Sequence, residues 1–372
     1  MTERPGPLGL VLCALLVHSL VGSWVAPTWG QESGPKRLIY YSSGTRDTQY
    51  VRKNWREMEQ MPFDGIGITV AVDRSKPTIG KGATANLLGW RVMGPRLFRM
   101  EEFRDAVEDL RVPRWRTFSD NFFPVALSAA DSAGGLNWFD DGRWHIVVNN
   151  FGVLAGIAAK GGAKGLLFDP EHYNYALFSY PSQRQQRDRP FEDYARAARQ
   201  RGRQVMAAIA AHLPDAVLFW LYGYTLPFSE LRGRTSLQNA GYGLLPAFCD
   251  GLLEAMPPKA RFIDGYEFAY GFKDRRQFLD GYRRIRQEAL RLSAVPEVYR
   301  EKVKAGFGLM LDYRGQQHYF SPAEFKQAVG YALEISDGYV WIYSEGPQFF
   351  PPSGIESSYI DAIVEGRRGM KQ

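Results

Sequence analysis

The sequence predicts an α/β chain folded as a (β/α)8 TIM barrel, and three observations carry that prediction. From residue 37 onward, apolar runs of strand length alternate with amphipathic stretches of helical period. The alternation reaches eight strand–helix pairs without a break in composition, which is the count and order of the barrel. No G-x-G-x-x-G opens the first helix, which argues against the doubly wound open sheet that alternation alone would also allow.

The expected strands are 37–43, 65–70, 122–127, 165–168, 216–222, 261–266, 304–311 and 338–343. Each is a short apolar run bounded by polar or turn-forming residues, the pattern of a strand buried on both sides in a parallel sheet. Helices are expected after each, at 51–60, 101–110, 149–160, 191–212, 237–256, 275–292, 322–335 and 358–366. Ser321-Pro322-Ala323-Glu324 has the spacing of a capping box with proline in the first turn. Segments 73–94 and 128–144 read as long loops, which in a barrel build specificity at the C-terminal ends of the strands.

The first thirty residues stand apart. Arg4 precedes an apolar run from Leu8 to Val21, and Thr28 and Gly30 suit a cleavage site. This is the pattern of a secretory signal peptide, with residues 31–372 as the catalytic barrel domain and no membrane span in the mature chain. Of two cysteines, Cys13 lies in that leader, and Cys249 falls in an apolar helical stretch as a core residue. Disulfide-free export suits a secreted or periplasmic bacterial protein. The 372 residues are 45% hydrophobic and 14% aromatic, enough for one large core. The net charge of +6 lies largely on helical arginines such as Arg196, Arg199, Arg201 and Arg203, or Arg283, Arg284 and Arg286, read as solvated faces, with an anionic partner as the sharper reading. No zinc spacing, RNP motif or basic heptad region points to nucleic acid.

Chemistry concentrates in Lys164-Gly-Leu-Leu-Phe-Asp-Pro-Glu-His-Tyr173. Asp169 and Glu171 end the fourth strand two residues apart, so in extended backbone both leave one face. Burying acids in pairs is costly, and a fold that does so at the C-terminal end of a strand usually uses them. Further acids end later strands: Glu267 after the sixth, Asp312 after the seventh, Glu345 after the eighth. Tyr173, Trp220, Tyr222, Trp341 and Tyr343 are expected beside them as platforms for the apolar faces of sugar rings. Glycoside hydrolysis needs one carboxylic acid held protonated for the leaving oxygen and a second to attack, to act as base or to orient a reacting group. A neighbouring Asp169 charge is expected to favour the protonated form of Glu171.

An apolar fourth strand ending in D-x-E, with a later strand carrying Trp341, resembles the family-18 chitinases and is similar to the family-25 lysozymes. The resemblance implies Glu171 as general acid and Asp169 as the group orienting the substrate's acetamido group. It also implies Tyr266 or Tyr313 as a second acetamide contact and Trp341 as the pocket floor. It covers about eight residues and the barrel plan; Lys164 and Leu167 stand where the longer chitinase motif has aspartates, and Pro170 separates the two acids.

The sequence thus predicts an exported glycoside hydrolase of a poly- or oligosaccharide that needs no cofactor and no metal. The alternatives are a non-catalytic carbohydrate-binding barrel and a metal-dependent hydrolase using His172 with Asp169. The latter lacks an H-x-H or H-E-x-x-H spacing. Asp120-Asn121 is expected to turn the chain, and Asp140-Asp141 to lie in a solvated loop.

Overall fold

A parallel register runs around the whole sheet. The computed structural model describes residues 34–76, 86–128, 135–183, 188–231, 236–313 and 317–369. From Gly34 onward the chain is one compact unit. The proposed leader, residues 1–30, lies outside the described residues. Eight barrel strands follow in chain order: β1 (Arg37–Ser42), β2 in two pieces (Gly65–Ile66 and Ile68–Thr69), β3 (Phe122–Ala126), β4 (Gly165–Asp169), β5 (Val217–Trp220), β6 (Arg261–Asp264), β7 in two pieces (Val303–Ala305 and Phe307–Met310) and β8 (Tyr339–Ser344). Helices α1 (Thr48–Met58), α2 (Arg104–Leu110), α3 (Asp141–Gly161), α4 (Phe191–Ala210), α5 (Leu245–Glu254), α6 (Arg275–Arg283), α7 (Pro322–Ile335) and α8 (Ser357–Arg368) follow them one by one.

The barrel closes at two places where a strand changes partner. In β2, Gly65–Ile66 pairs with β1, and Gly67 then bridges to Phe122 of β3. In β7, Val303–Ala305 pairs with β6, and Phe307–Met310 pairs with β8, which in turn pairs with β1. Gly306 sits at the second corner; a Cβ there would lie 2.9 Å from Ile263 Cγ2 and 3.0 Å from the Tyr339 carbonyl oxygen. Only glycine lets the backbones approach that closely.

Alternation sorts the side chains. Ile39, Phe122, Leu167, Val217, Phe219, Ile263, Tyr339 and Trp341 fill the barrel interior. Leu38, Val125, Leu166, Phe168, Leu218, Trp220, Phe262 and Leu309 face the helices and join the larger core. The N-terminal end of the barrel is sealed by charge. Arg37 approaches Asp64 at 3.6 Å and Asp120 at 3.4 Å, while the Tyr339 hydroxyl donates to Asp120 at 2.6 Å. Asn121 Oδ1 accepts the Ile66 N–H, so Asp120-Asn121 ties β2, β3 and β8 together as well as turning the chain.

Two helices differ from the sequence reading. Helix α3 begins at Asp141, with Asp140 accepting the Arg143 N–H at 2.9 Å as its N-cap. The solvated loop expected at Asp140-Asp141 is therefore a helix start, and Trp144 stacks on Trp138 inside the core. The helix begins earlier because this aromatic packing outweighs the polar composition of its first turn. Helix α5 starts only at Leu245, since Gly241 and Gly243 interrupt the helical run and Pro246 suits a first turn. Cys249 is fully buried in it. Among the described residues no helix is long and apolar enough to cross a membrane.

Candidate active site at the C-terminal mouth

Strand β4 delivers Asp169 to the mouth of the barrel, two positions beyond the interior residue Leu167. Its carboxylate is buried, with Oδ1 accepting the Glu171 N–H at 3.0 Å and Oδ2 lying 2.5 Å from the Tyr173 hydroxyl. Glu171 is half-buried, and its Oε2 lies 3.1 Å from the same phenol. Ser128, just past β3, fixes this turn. Its Oγ donates to the Glu171 carbonyl and accepts the Tyr173 N–H at 2.9 Å, while its carbonyl accepts the Asn174 N–H at 3.0 Å.

Glu267 opposes this pair from the turn after β6. Its carboxyl is bonded by Tyr270, and Oε2 is buried with no hydrogen-bond partner among the described residues. Burial, then the charge of Glu171, and more weakly that of Asp169, push the Glu267 carboxyl well above its ordinary range. Asp169 is pushed up to about 7 by burial and then by the Glu171 charge, against the Tyr173 and Glu171 N–H bonds. Glu267 thus feels the charges of both acids of the pair and Asp169 that of Glu171, and both Glu267 and Asp169 favour the proton.

Tyrosines wall this cluster. Tyr41 at the end of β1 packs on Tyr343 at 5.7 Å and on Trp341 at 6.3 Å. Tyr270 stacks on Tyr343 at 5.9 Å and meets Trp341 edge-on at 5.4 Å. Trp341 lies fully buried beneath them, its indole N–H donating to the Gly265 carbonyl at 2.8 Å. Gly308 on the neighbouring strand makes room for it, since a Cβ there would meet Trp341 Cε2 at 2.6 Å. Burial first, then the nearby carboxylates and phenols, raises the Tyr41 phenol well above its ordinary value.

The lip is aromatic too. Tyr173 is 47% exposed and Phe268 38% exposed. They are the exposed aromatic side chains among the large exposed hydrophobic residues described. Trp90 braces Tyr173 at 5.5 Å, and Tyr222 braces Phe268 at 4.9 Å.

The sequence candidates divide accordingly. Asp169, Glu171, Glu267, Tyr173, Tyr222, Trp341 and Tyr343 come together. Trp220 does not: it is fully buried on the helix side of β5, stacked between Phe168 at 4.6 Å and Phe262 at 5.4 Å. Tyr266 is also turned outward, its hydroxyl accepting from Arg284 at 2.8 Å and its ring packed against Phe307. Asp312 is committed to the turn after β8, its carboxylate accepting the N–H groups of Glu345 at 3.1 Å and Gly346 at 3.0 Å. Glu345 itself is exposed on the rim, where its charge reaches Tyr343. The side chain of Tyr313 lies outside the described residues.

His172 is a packing residue. Its ring stacks on Tyr242 at 4.1 Å, its Nε2 accepts the Phe178 N–H at 3.3 Å, and burial lowers its pKa to about 4. Among the described residues no group of three or more His, Cys, Asp or Glu is placed to hold a metal ion. Sequence reasoning missed Tyr41, Trp90, Phe268 and Tyr270. Tyr41 was open to detection, because it follows the interior residue Ile39 by two on β1.

Fold and site together define a (β/α)8 barrel with an acidic, tyrosine-walled cluster at its C-terminal mouth. No family model matches the chain, and no curated protein does. Similar solved structures include a GH18 chitinase from Pseudoalteromonas aurantia, at 12% identity and a TM-score of 0.45, covering 89% of this chain and 99% of that one. An endocellulase from Pyrococcus horikoshii gives 12% identity and 0.47 over 91% of this chain and 93% of its own. A D-allulose 3-epimerase from Methylomonas sp. gives 12% and 0.42 over 91% and 98%. The closed strand order carries the barrel assignment by itself.

Proposed function

We propose that this chain is an exported glycoside hydrolase cleaving a poly- or oligosaccharide by carboxylate acid–base catalysis. The observation that carries the reading is the meeting of Asp169, Glu171 and Glu267 under aromatic walls, with two of the three favouring the protonated form. A glycosidic oxygen leaves as an alcohol only if a proton arrives with bond cleavage, and a site that stores protons near neutral pH can supply one.

Glu171 is the general acid/base: its contact with the Tyr173 phenol is exposed, whereas Asp169 is buried and Oε2 of Glu267 is enclosed. Asp169, buried and near-neutral, suits orienting a reacting group better than attacking a carbon. Glu267, bonded by Tyr270 and held toward its protonated form by burial, backs the pair from the turn after β6. Tyr173, Phe268 and Tyr343 present rings to the apolar faces of the sugars. The apolar run from Leu8 to Val21 supports export, which sequencing the N-terminus of the protein recovered from its native host would check. The surplus of arginine makes an anionic glycan a worthwhile member of any substrate panel.

The test is product release from a broad glycan panel, comparing wild type with Glu171→Gln. The expected result is cleavage by wild type and a loss of roughly 10²–10⁴-fold in the variant, with its thermal unfolding unchanged. Equal cleavage by both proteins would overturn the assignment of Glu171. Glycan binding without cleavage by either would favour a carbohydrate-binding barrel.

A further inference from the structure

We propose that Tyr173 is the proton bridge between the two carboxyl groups of the D-x-E pair, arming Glu171 with a proton drawn from Asp169. The inference rests on the glycosidase reading for its catalytic consequence, but its geometric basis is separate.

The Tyr173 oxygen lies 2.5 Å from Asp169 Oδ2 and 3.1 Å from Glu171 Oε2. A phenol has one proton, so it cannot donate fully to both carboxylates. If Asp169 carries a proton on Oδ2, the conflict disappears. Asp169 then donates to the phenol oxygen, and the phenol donates to Glu171. The other oxygen of Asp169 is held by the Glu171 N–H at 3.0 Å, which leaves Oδ2 as its exit for a proton. The phenol is also held in place, by the Ser128 bonds to its own and flanking backbone and by Trp90 against its ring.

Transfer is a concerted shift of two protons. The Asp169 O–H bond breaks as a new phenol O–H forms; the original phenol O–H breaks as an O–H forms on Glu171. Tyrosine is regenerated, the negative charge moves from Glu171 to Asp169, and Glu171 stands ready to protonate the leaving oxygen. The titratable groups that face this triad are Glu267 from the turn after β6 and the phenols of Tyr41 from β1, Tyr222 and Tyr242 from the β5 side and Tyr343 from β8. A substrate that covers Glu171 and offers Asp169 a hydrogen-bond donor would drive the shift.

The experiment uses Tyr173→Phe, which keeps the ring and removes only the hydroxyl, in the full-length protein. Carbon-13 NMR of side-chain carboxyls, read across pH, needs no substrate. Loss of the phenol bond to the charged form is expected to move the Asp169 midpoint upward by about one unit. On any glycan the wild type cleaves, kcat is expected to fall roughly 10–100-fold with KM within about twofold and a displaced pH profile. An unmoved Asp169 midpoint overturns the bridge whether or not cleavage is found. So does a raised KM with unchanged kcat, which would mean that the hydroxyl only binds substrate. Wild type that cleaves nothing while the midpoint still shifts removes the glycosidase reading and leaves the proton bridge standing.

Discussion

The indole of Trp220 lies parallel to the ring of Phe168, 4.6 Å away at an interplanar angle of 6°. The two residues are direct partners in the β4–β5 register, and Phe262 of β6 stacks on the far side of the indole. This three-ring stack belongs to the layer between sheet and helices, on the face of the sheet opposite the barrel interior.

Replacing Trp220 with alanine is therefore expected to cost about 3–5 kcal/mol of stability through the cavity it leaves. Trp220→Phe should cost less, since the indole N–H is buried without a partner among the described residues and its removal loses no hydrogen bond. Urea unfolding measures both. A Trp220→Ala protein of unchanged stability but weakened glycan affinity would return this residue to the binding site.

How far the sequence could be read follows from the same stack. Strand and helix order were legible because apolar runs and capping signals are local, as at Ser321 and Glu324, which form the expected box. The D-x-E pair was legible because charge at the end of an apolar run stands out. The side on which each residue points depends on parity within the strand. Trp220 and Tyr222 share a parity in sequence, yet β5 ends at Trp220 and the chain leaves extended geometry, so Trp220 faces the helices and Tyr222 the mouth. Asp312 illustrates a second limit. An acid after a strand can reach the pocket or accept backbone N–H groups, and only the path of the turn after β8 decides for the latter. Phe268 and Tyr270 sit on a tight turn whose entry residue, Tyr266, has φ of 42°, a left-handed conformation that no local pattern announces for tyrosine.

The sealed N-terminal end of the barrel should affect stability and leave chemistry alone. Tyr339→Phe removes the hydroxyl that reaches Asp120 at 2.6 Å, leaving a buried carboxylate oxygen short of a donor. A loss of about 1–3 kcal/mol is expected, read as a lowered thermal midpoint. Turnover per folded molecule should stay constant; a fall in kcat at full folding would show that the two ends of the barrel communicate.

Phe268 should act on affinity for long substrates. Its exposed ring lies on the lip beside Tyr222. An aromatic contact of this kind contributes about 0.5–1.5 kcal/mol, so Phe268→Ala is expected to raise KM roughly two- to twelvefold on a polysaccharide. A substrate too short to reach the lip should be turned over as before. Equal losses on long and short substrates would place Phe268 in support of Glu267 instead.

The buried Asp169 makes a signed prediction about pH. In the unfolded chain an aspartate titrates near 4, whereas here burial and then the Glu171 charge push it up to about 7. Between those values the native state holds more protons than the unfolded state, so stability falls as pH rises through the window. The full three-unit interval corresponds to a loss on the order of 4 kcal/mol. Asp264, also raised by burial, to about 6, adds a decline in the same direction through the lower part of the window. Asp169→Asn removes the Asp169 ionisation, and with it the Asp169 charge felt by Glu267, since an amide cannot ionise, while Asp264 is left untouched. Unfolding midpoints at pH 4.5 and pH 7.5 should therefore differ less in the variant than in wild type, the variant gaining most at the higher pH. Parallel pH profiles for the two proteins would show that Asp169 ionises as easily in the barrel as in water, and would remove the proton store from the mechanism.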